Sequence, residues 1–110
     1  MDQIGTLYYG SGRLPIKIDD RVLSHIKMVI ASKLRRREAF LLSWPEPEET
    51  GGGRTSVWIH PHADLGFRFD GGRSPELDTD LLDRLAVEAS TSRGILINEA
   101  QSPRSIPGLG

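Results

Sequence analysis

An uninterrupted amphipathic stretch from Asp19 to Trp44 limits what this chain can fold into. Val22, Leu23, Ile26, Val29, Ile30 and Leu34 recur at three- and four-residue spacings, so a helix gathers them on one face. Neither Gly nor Pro occurs between Asp19 and Ala39. Asp19 or Asp20 is placed to cap the start, where a carboxylate accepts from free amides and meets the positive helix end. Lys33, Arg35, Arg36 and Arg37 fall in the last turn, where cations suit the negative end. Val22, Val29 and Ile30 are β-branched and mildly unfavourable in a helix, a cost that burial outweighs. The apolar run Phe40–Trp44 follows, and Pro45 stops it. The spacing predicts a helix over 20–37 and a strand over 39–44.

The flanking segments read as strands, turns and a second helix. Ile4–Tyr9 favours extended structure, and Gly10-Ser11-Gly12 supplies a hairpin turn. Leu14–Ile18 returns as a strand, with Pro15 pointing to an edge position or to the start of that strand. The acidic, Gly-rich run from Pro45 to Arg54 reads as a loop. In Thr55–His60, Val57 and Ile59 face one way while Ser56, Trp58 and His60 face the other. Leu65, Phe67 and Phe69 alternate as a further half-buried strand. Ser74-Pro75-Glu76 resembles a helix start, and Leu77, Leu81, Leu82, Leu85 and Ala89 share a helical face. Gly94 is suited to the left-handed position at that helix's end, and Ile95–Ile97 makes a short last strand.

The order β-β-α-β-β-β-α-β gives an α+β class. The expectation is a mainly antiparallel sheet with two helices, near 20–37 and 75–92, on one face. The 110 residues suit one domain over 1–98, with 99–110, rich in Ser, Pro and Gly, as a mobile tail. Leu23, Ile26, Ile30, Leu34, Phe40, Leu42, Val57, Ile59, Phe67, Leu81, Leu82 and Leu85 are the expected core. No apolar run reaches the ~18 residues of a membrane span, and the N-terminus lacks the pattern of a signal peptide. Cysteine is absent, which excludes disulfides, Cys-based zinc sites and a thiol nucleophile. A cytoplasmic protein with no membrane partner is the expectation.

Charge is divided along the chain. Residues 1–37 hold eight Lys/Arg against three Asp, and residues 38–110 hold six Arg against twelve Asp/Glu. Such asymmetry marks either a surface for an anionic partner or parts of the protein that attract one another. Lys33, Arg35, Arg36 and Arg37 are the binding candidates, for nucleic acid, an acidic protein or a second copy of the chain. Tyr8, Tyr9, Trp44 and Trp58 supply stacking surfaces wherever they are exposed. The competing explanation is a helix end stabilised by charge, with the aromatics in the core.

No constellation for chemistry emerges. Gly10-Ser11-Gly12 lacks the phosphate-loop spacing and lies between strands. His60, His62 and Asp64 lie close in sequence, yet a catalytic zinc needs three ordered ligands, so no metal is assigned. Asp19-Asp20 suits a helix start, and Asp78, Asp80 and Asp83 suit a solvated helix face. No catalytic residue and no cofactor are assigned.

Four stretches carry a family resemblance: GTLYYG, IDDRVLSHIKMVIASKLRRREAFLLSW, GRTSVWIHP and the Leu-rich helix ending in ASTSRGILI, together spanning roughly residues 4–98. They resemble a small actinobacterial family, found in Microbacteriaceae, whose members often carry the label ATP-dependent DNA ligase. The resemblance thus implies nucleotidyl transfer as an alternative function. Such ligases attach AMP to the Lys of a Lys-x-Asp-Gly motif. The nearest match here is Lys17-Ile18-Asp19-Asp20, with Asp20 in place of the Gly. The downstream nucleotide and metal motifs are not visible, and 110 residues leave no room for a nucleotidyltransferase domain beside an OB domain. The residues therefore favour a non-catalytic interaction module.

Overall fold

The computed structural model describes residues 3–98. The proposed tail at 99–110 lies outside them. The elements are β1 (Ile4–Tyr9), β2 (Leu14–Asp19), α1 (Asp20–Arg35), β3 (Phe40–Pro45), β4 (Arg54–Ile59), β5 (Leu65–Arg68), α2 (Thr79–Ala89) and β6 (Ile95–Leu96), with a short 3-10 turn at Glu48–Thr50. This is the expected order and an α+β fold.

The strands divide between two three-stranded sheets, ordered β2-β1-β5 and β4-β3-β6. All pairings are antiparallel except β3 with β6, where Leu42 lies opposite Ile95. The β1–β2 hairpin turns at Gly10, which takes a φ of 80°, and Pro15 lies on the edge strand. There its missing N–H costs no ladder bond. α1 packs on β1 and β2, α2 packs on β3 and β6, and the helices touch each other. One continuous apolar cluster joins the layers.

The stripe of α1 is buried as its spacing requires: Val22, Leu23, Ile26, Val29 and Ile30 all lie in the core, with Leu34 packed at its border. Phe40, Leu42, Val57, Ile59, Leu81 and Leu85 are buried too, while Phe67 and Leu82 are only partly covered. Leu7, Ile16, Ile18, Trp44, Ile95 and Ile97 complete the cluster.

Both helices are shorter than their sequences suggest. Asp19 caps α1, its carboxylate accepting from the amides of Arg21 (3.1 Å) and Val22 (3.3 Å). α1 stops at Arg35, before the expected 37. Arg37 adopts a left-handed φ of 59°, and the amides of Arg37 and Glu38 return to the carbonyls of Leu34 and Lys33, each at 3.0 Å. That pair of bonds is a Schellman closure. α2 begins at Thr79, not near Pro75, because Asp78 accepts from the amides of Asp80 (3.0 Å) and Leu81 (3.2 Å). An Asp side chain so placed is a stronger start signal than Pro. Gly94 lies beyond the end of α2 at a φ of 73°, and a Cβ there would run into the Leu41 carbonyl.

Candidate polyanion interface at the end of helix α1

The basic cluster of α1 separates into two parts. Lys33 is 9% exposed. Its Nζ donates to Ser90 Oγ at 2.9 Å and lies 3.2 Å from Glu38 Oε1. It ties the end of α1 to the end of α2 and is not a free surface cation. Arg35, Arg36 and Arg37 are exposed. Arg36 Nη2 lies 3.4 Å from Glu38 Oε1. The Lys33 hydrogen bond, with the positive charges of Arg36 and Lys33 behind it, holds the Glu38 carboxyl below the usual carboxylate range. Glu38 therefore answers one unit of positive charge in a cluster of four cations.

The aromatic side chains also sort by position. Trp44 faces the core, at 7% exposed. Trp58 points out of β4 and is 52% exposed, opposite Leu41 on β3. The strand alternation read from the sequence predicts this outward placement. Tyr9 Oη donates to the Trp58 carbonyl at 2.6 Å, which fixes the backbone beneath the indole. Tyr8 is half-buried, with the Arg13 guanidinium 4.3 Å from its ring centre.

Folding brings the two features together. A surface hollow of about 490 Å³ is lined by Lys33 and Glu38 on one side and by Leu41 and Trp58 on another, with Ser90 and Thr91 closing it. Trp58 thus shares a hollow with Lys33 and Glu38, 25 and 20 positions away in sequence. Arg35, Arg36 and Arg37 are not among the residues that line it. The arrangement sets an exposed aromatic face beside the end of α1, where a stacked base could lie near a cation.

The other candidates take structural roles or stay apart. The His60 and His62 rings are 6.4 Å apart, and the amide of His62 donates to His60 Nδ1 at 3.2 Å. Among the described residues no group of three or more His, Cys, Asp or Glu is arranged to hold a metal. Lys17 stands on β2, and its Nζ donates to Thr6 Oγ1 at 3.0 Å. Asp20 is 5% exposed; its carboxylate accepts from the amides of Asp70 (3.1 Å) and Gly71 (2.8 Å).

His25 escaped sequence reasoning. It is fully buried: Nδ1 donates to the Arg21 carbonyl at 2.6 Å, and Nε2 accepts from the Asp78 amide at 2.8 Å. These partners define a neutral ring with its proton on Nδ1. Its spacing with Val22, Ile26 and Val29 was the available signal, since that puts it on the buried face.

No helix among the described residues is long and apolar enough to cross a membrane. Neither a curated protein nor a solved structure matches the chain. A family model does match residues 4–100, nearly all of the chain, and by that match the chain belongs to DUF7882, a family described as a domain of unknown function.

Proposed function

We propose that this protein is a non-catalytic binding module whose partner is single-stranded nucleic acid, held by Arg35, Arg36 and Arg37 with Trp58 as a stacking face. One observation carries this reading: the exposed indole of Trp58 borders the same hollow as Lys33 and Glu38, at the helix end that also carries the exposed Arg35, Arg36 and Arg37. Cations beside an aromatic face suit an unpaired base and its phosphates better than a duplex, whose bases are already stacked. An acidic protein or a second copy of the chain would use the same cations without needing the indole. A cytoplasmic location fits this reading, as does the absence of cysteine.

The test is binding of an unstructured oligonucleotide across a salt series. Replacing Arg35, Arg36 and Arg37 with Gln should weaken binding to all sequences alike and reduce the salt slope by about 2, near 0.7 per lost contact on a single strand. Lys33 is left intact in this variant because it ties the helices together. If a second copy is the partner, the triple variant will instead change the mass seen by solution scattering. No nucleic-acid binding at low salt and no change in mass would remove the support for the reading.

The alternative is the ligase activity attached as a label to the actinobacterial proteins this chain resembles. It would place AMP on Lys17. Against it stands Asp20, which occupies the Gly position of the motif and is engaged with the loop amides at 70 and 71. Incubation with labelled ATP and magnesium should leave Lys17 unmodified. Covalent AMP that is lost in Lys17→Ala would establish the enzyme.

A further inference from the structure

Ten residues, 69–78, join β5 to α2 without helix or strand, about twice the common length of such a link. Buried side chains of α1 hold both ends. At one end Asp20 accepts from the amides of Asp70 and Gly71. At the other, His25 accepts from the amide of Asp78, and Arg21 Nη2 meets Asp78 Oδ2 at 2.6 Å. Burying a carboxylate and an imidazole is costly unless each is well bonded, and here their side-chain bonds fix the course of an irregular segment. A long link held at both ends by a rigid element is how binding loops are commonly built.

Between its anchors the loop and α1 enclose a groove of about 380 Å³. Its apolar lining comes from Met28, Phe69, Pro75 and Leu77, and its cations are Lys27 and Arg73. Met28 and Leu77 are 47% and 50% exposed, so apolar surface is left open to water there. Lys27 Nζ lies 5.7 Å from the Phe69 ring centre, which sets a positive charge at the border of the apolar floor. No Asp or Glu among the described residues lines the groove; Asp70 and Glu76 belong to the loop but not to the lining.

We infer that this groove is a binding site for a small amphipathic carboxylate, of which a medium-chain fatty acid is the simplest example. The alkyl chain lies against Met28, Phe69, Pro75 and Leu77, and the carboxylate meets Lys27 and Arg73. Charge decides the head group, because the only ionised side chains in the lining are positive. At about 380 Å³ the groove is at the small end of ligand pockets, which suits a medium-length chain over a long one. The site is separate from the hollow at Trp58, and neither lining shares a residue with the other.

The test is titration of decanoate into the full chain, kept below its micelle-forming concentration and followed by NMR at the Met28 methyl and the Gly72 amide. Saturable shifts confined to the groove are expected. Decanol should bind at least about ten-fold more weakly, since its neutral hydroxyl accepts from the cations without a charge to pair with them. Lys27→Gln with Arg73→Gln should weaken decanoate to a similar degree, about ten-fold. Leu77→Asp charges the floor through a half-exposed side chain, so it should abolish binding and leave the melting temperature in place. Absence of groove shifts at about 1 mM ligand, a free energy near −4 kcal/mol, would overturn the proposal. Equal binding of decanol, or undiminished binding by the double variant, would overturn it too.

Discussion

The imidazole of His25 accepts a hydrogen bond from the backbone amide of Asp78 at 2.8 Å, across 53 residues of chain. The same Asp78 caps α2 with its carboxylate and pairs with Arg21. A single residue pair therefore sets where α1 meets the start of α2. Removing the ring should be costly. His25→Leu keeps an apolar body but leaves the Asp78 amide without its partner, while the Arg21 carbonyl still accepts from Ser24 Oγ. A loss of about 1–3 kcal/mol for the unsatisfied amide is expected, measured as a lower midpoint in urea unfolding. An unchanged midpoint would show that water or a shifted backbone takes over that bond.

Ile30 is 3% exposed at the centre of the apolar cluster. Ile30→Asp should unfold the protein, because an unpaired buried charge costs several kcal/mol against a total stability of roughly 5–15 kcal/mol. The readout is loss of the cooperative thermal transition. A normal melt would defeat the core assignment.

Arg37 holds a left-handed backbone where glycine is the usual residue. Arg37→Gly should relieve that conformation and raise stability by about 0.5–1 kcal/mol. The same change removes one exposed cation from the proposed interface. Stability and oligonucleotide affinity should thus move in opposite directions. Equal affinity in Arg37→Gly would take Arg37 out of the contact.

Two carboxyls tie acid sensitivity to the helix ends. Asp78 is held low chiefly by the Leu81 amide, then by the Asp80 amide and Arg21. Glu38 is held low chiefly by Lys33. A carboxyl with a depressed folded-state pKa adds stability that is present above its unfolded value, near 4. That contribution is lost as pH falls through the lower folded value. Melting temperature should therefore decline from about pH 5 towards pH 3, and less steeply in Asp78→Asn and Glu38→Gln. A decline equally steep in both variants would place the acid sensitivity elsewhere.

Much of the fold was legible because one face of each element is apolar. The stripe Val22–Leu34 fixes α1, and the alternation of Val57 and Ile59 with Trp58 fixes which side of β4 faces water. The ends were less legible. Arg37 closes α1 in a position where sequence preference expects Gly, and Asp78 overrides Pro75 as the start of α2. The basic cluster read as four equal cations, yet Lys33 alone turns inward, because Ser90 and Glu38 are there to receive it.

The sequence by itself determined the element order, the buried faces and the outward indole, since each follows from spacing within a few residues. Only the tertiary structure decided that six strands form two sheets, that Trp58 shares a hollow with Lys33 and Glu38, and that Asp20 and His25 grip the 69–78 loop. Those outcomes depend on polar contacts between residues about fifty positions apart and on which strand edges meet. Hydrophobic periodicity records which side of an element is buried. It carries no information about the partner that buries it, and a buried polar side chain is tolerated only once that partner is in place.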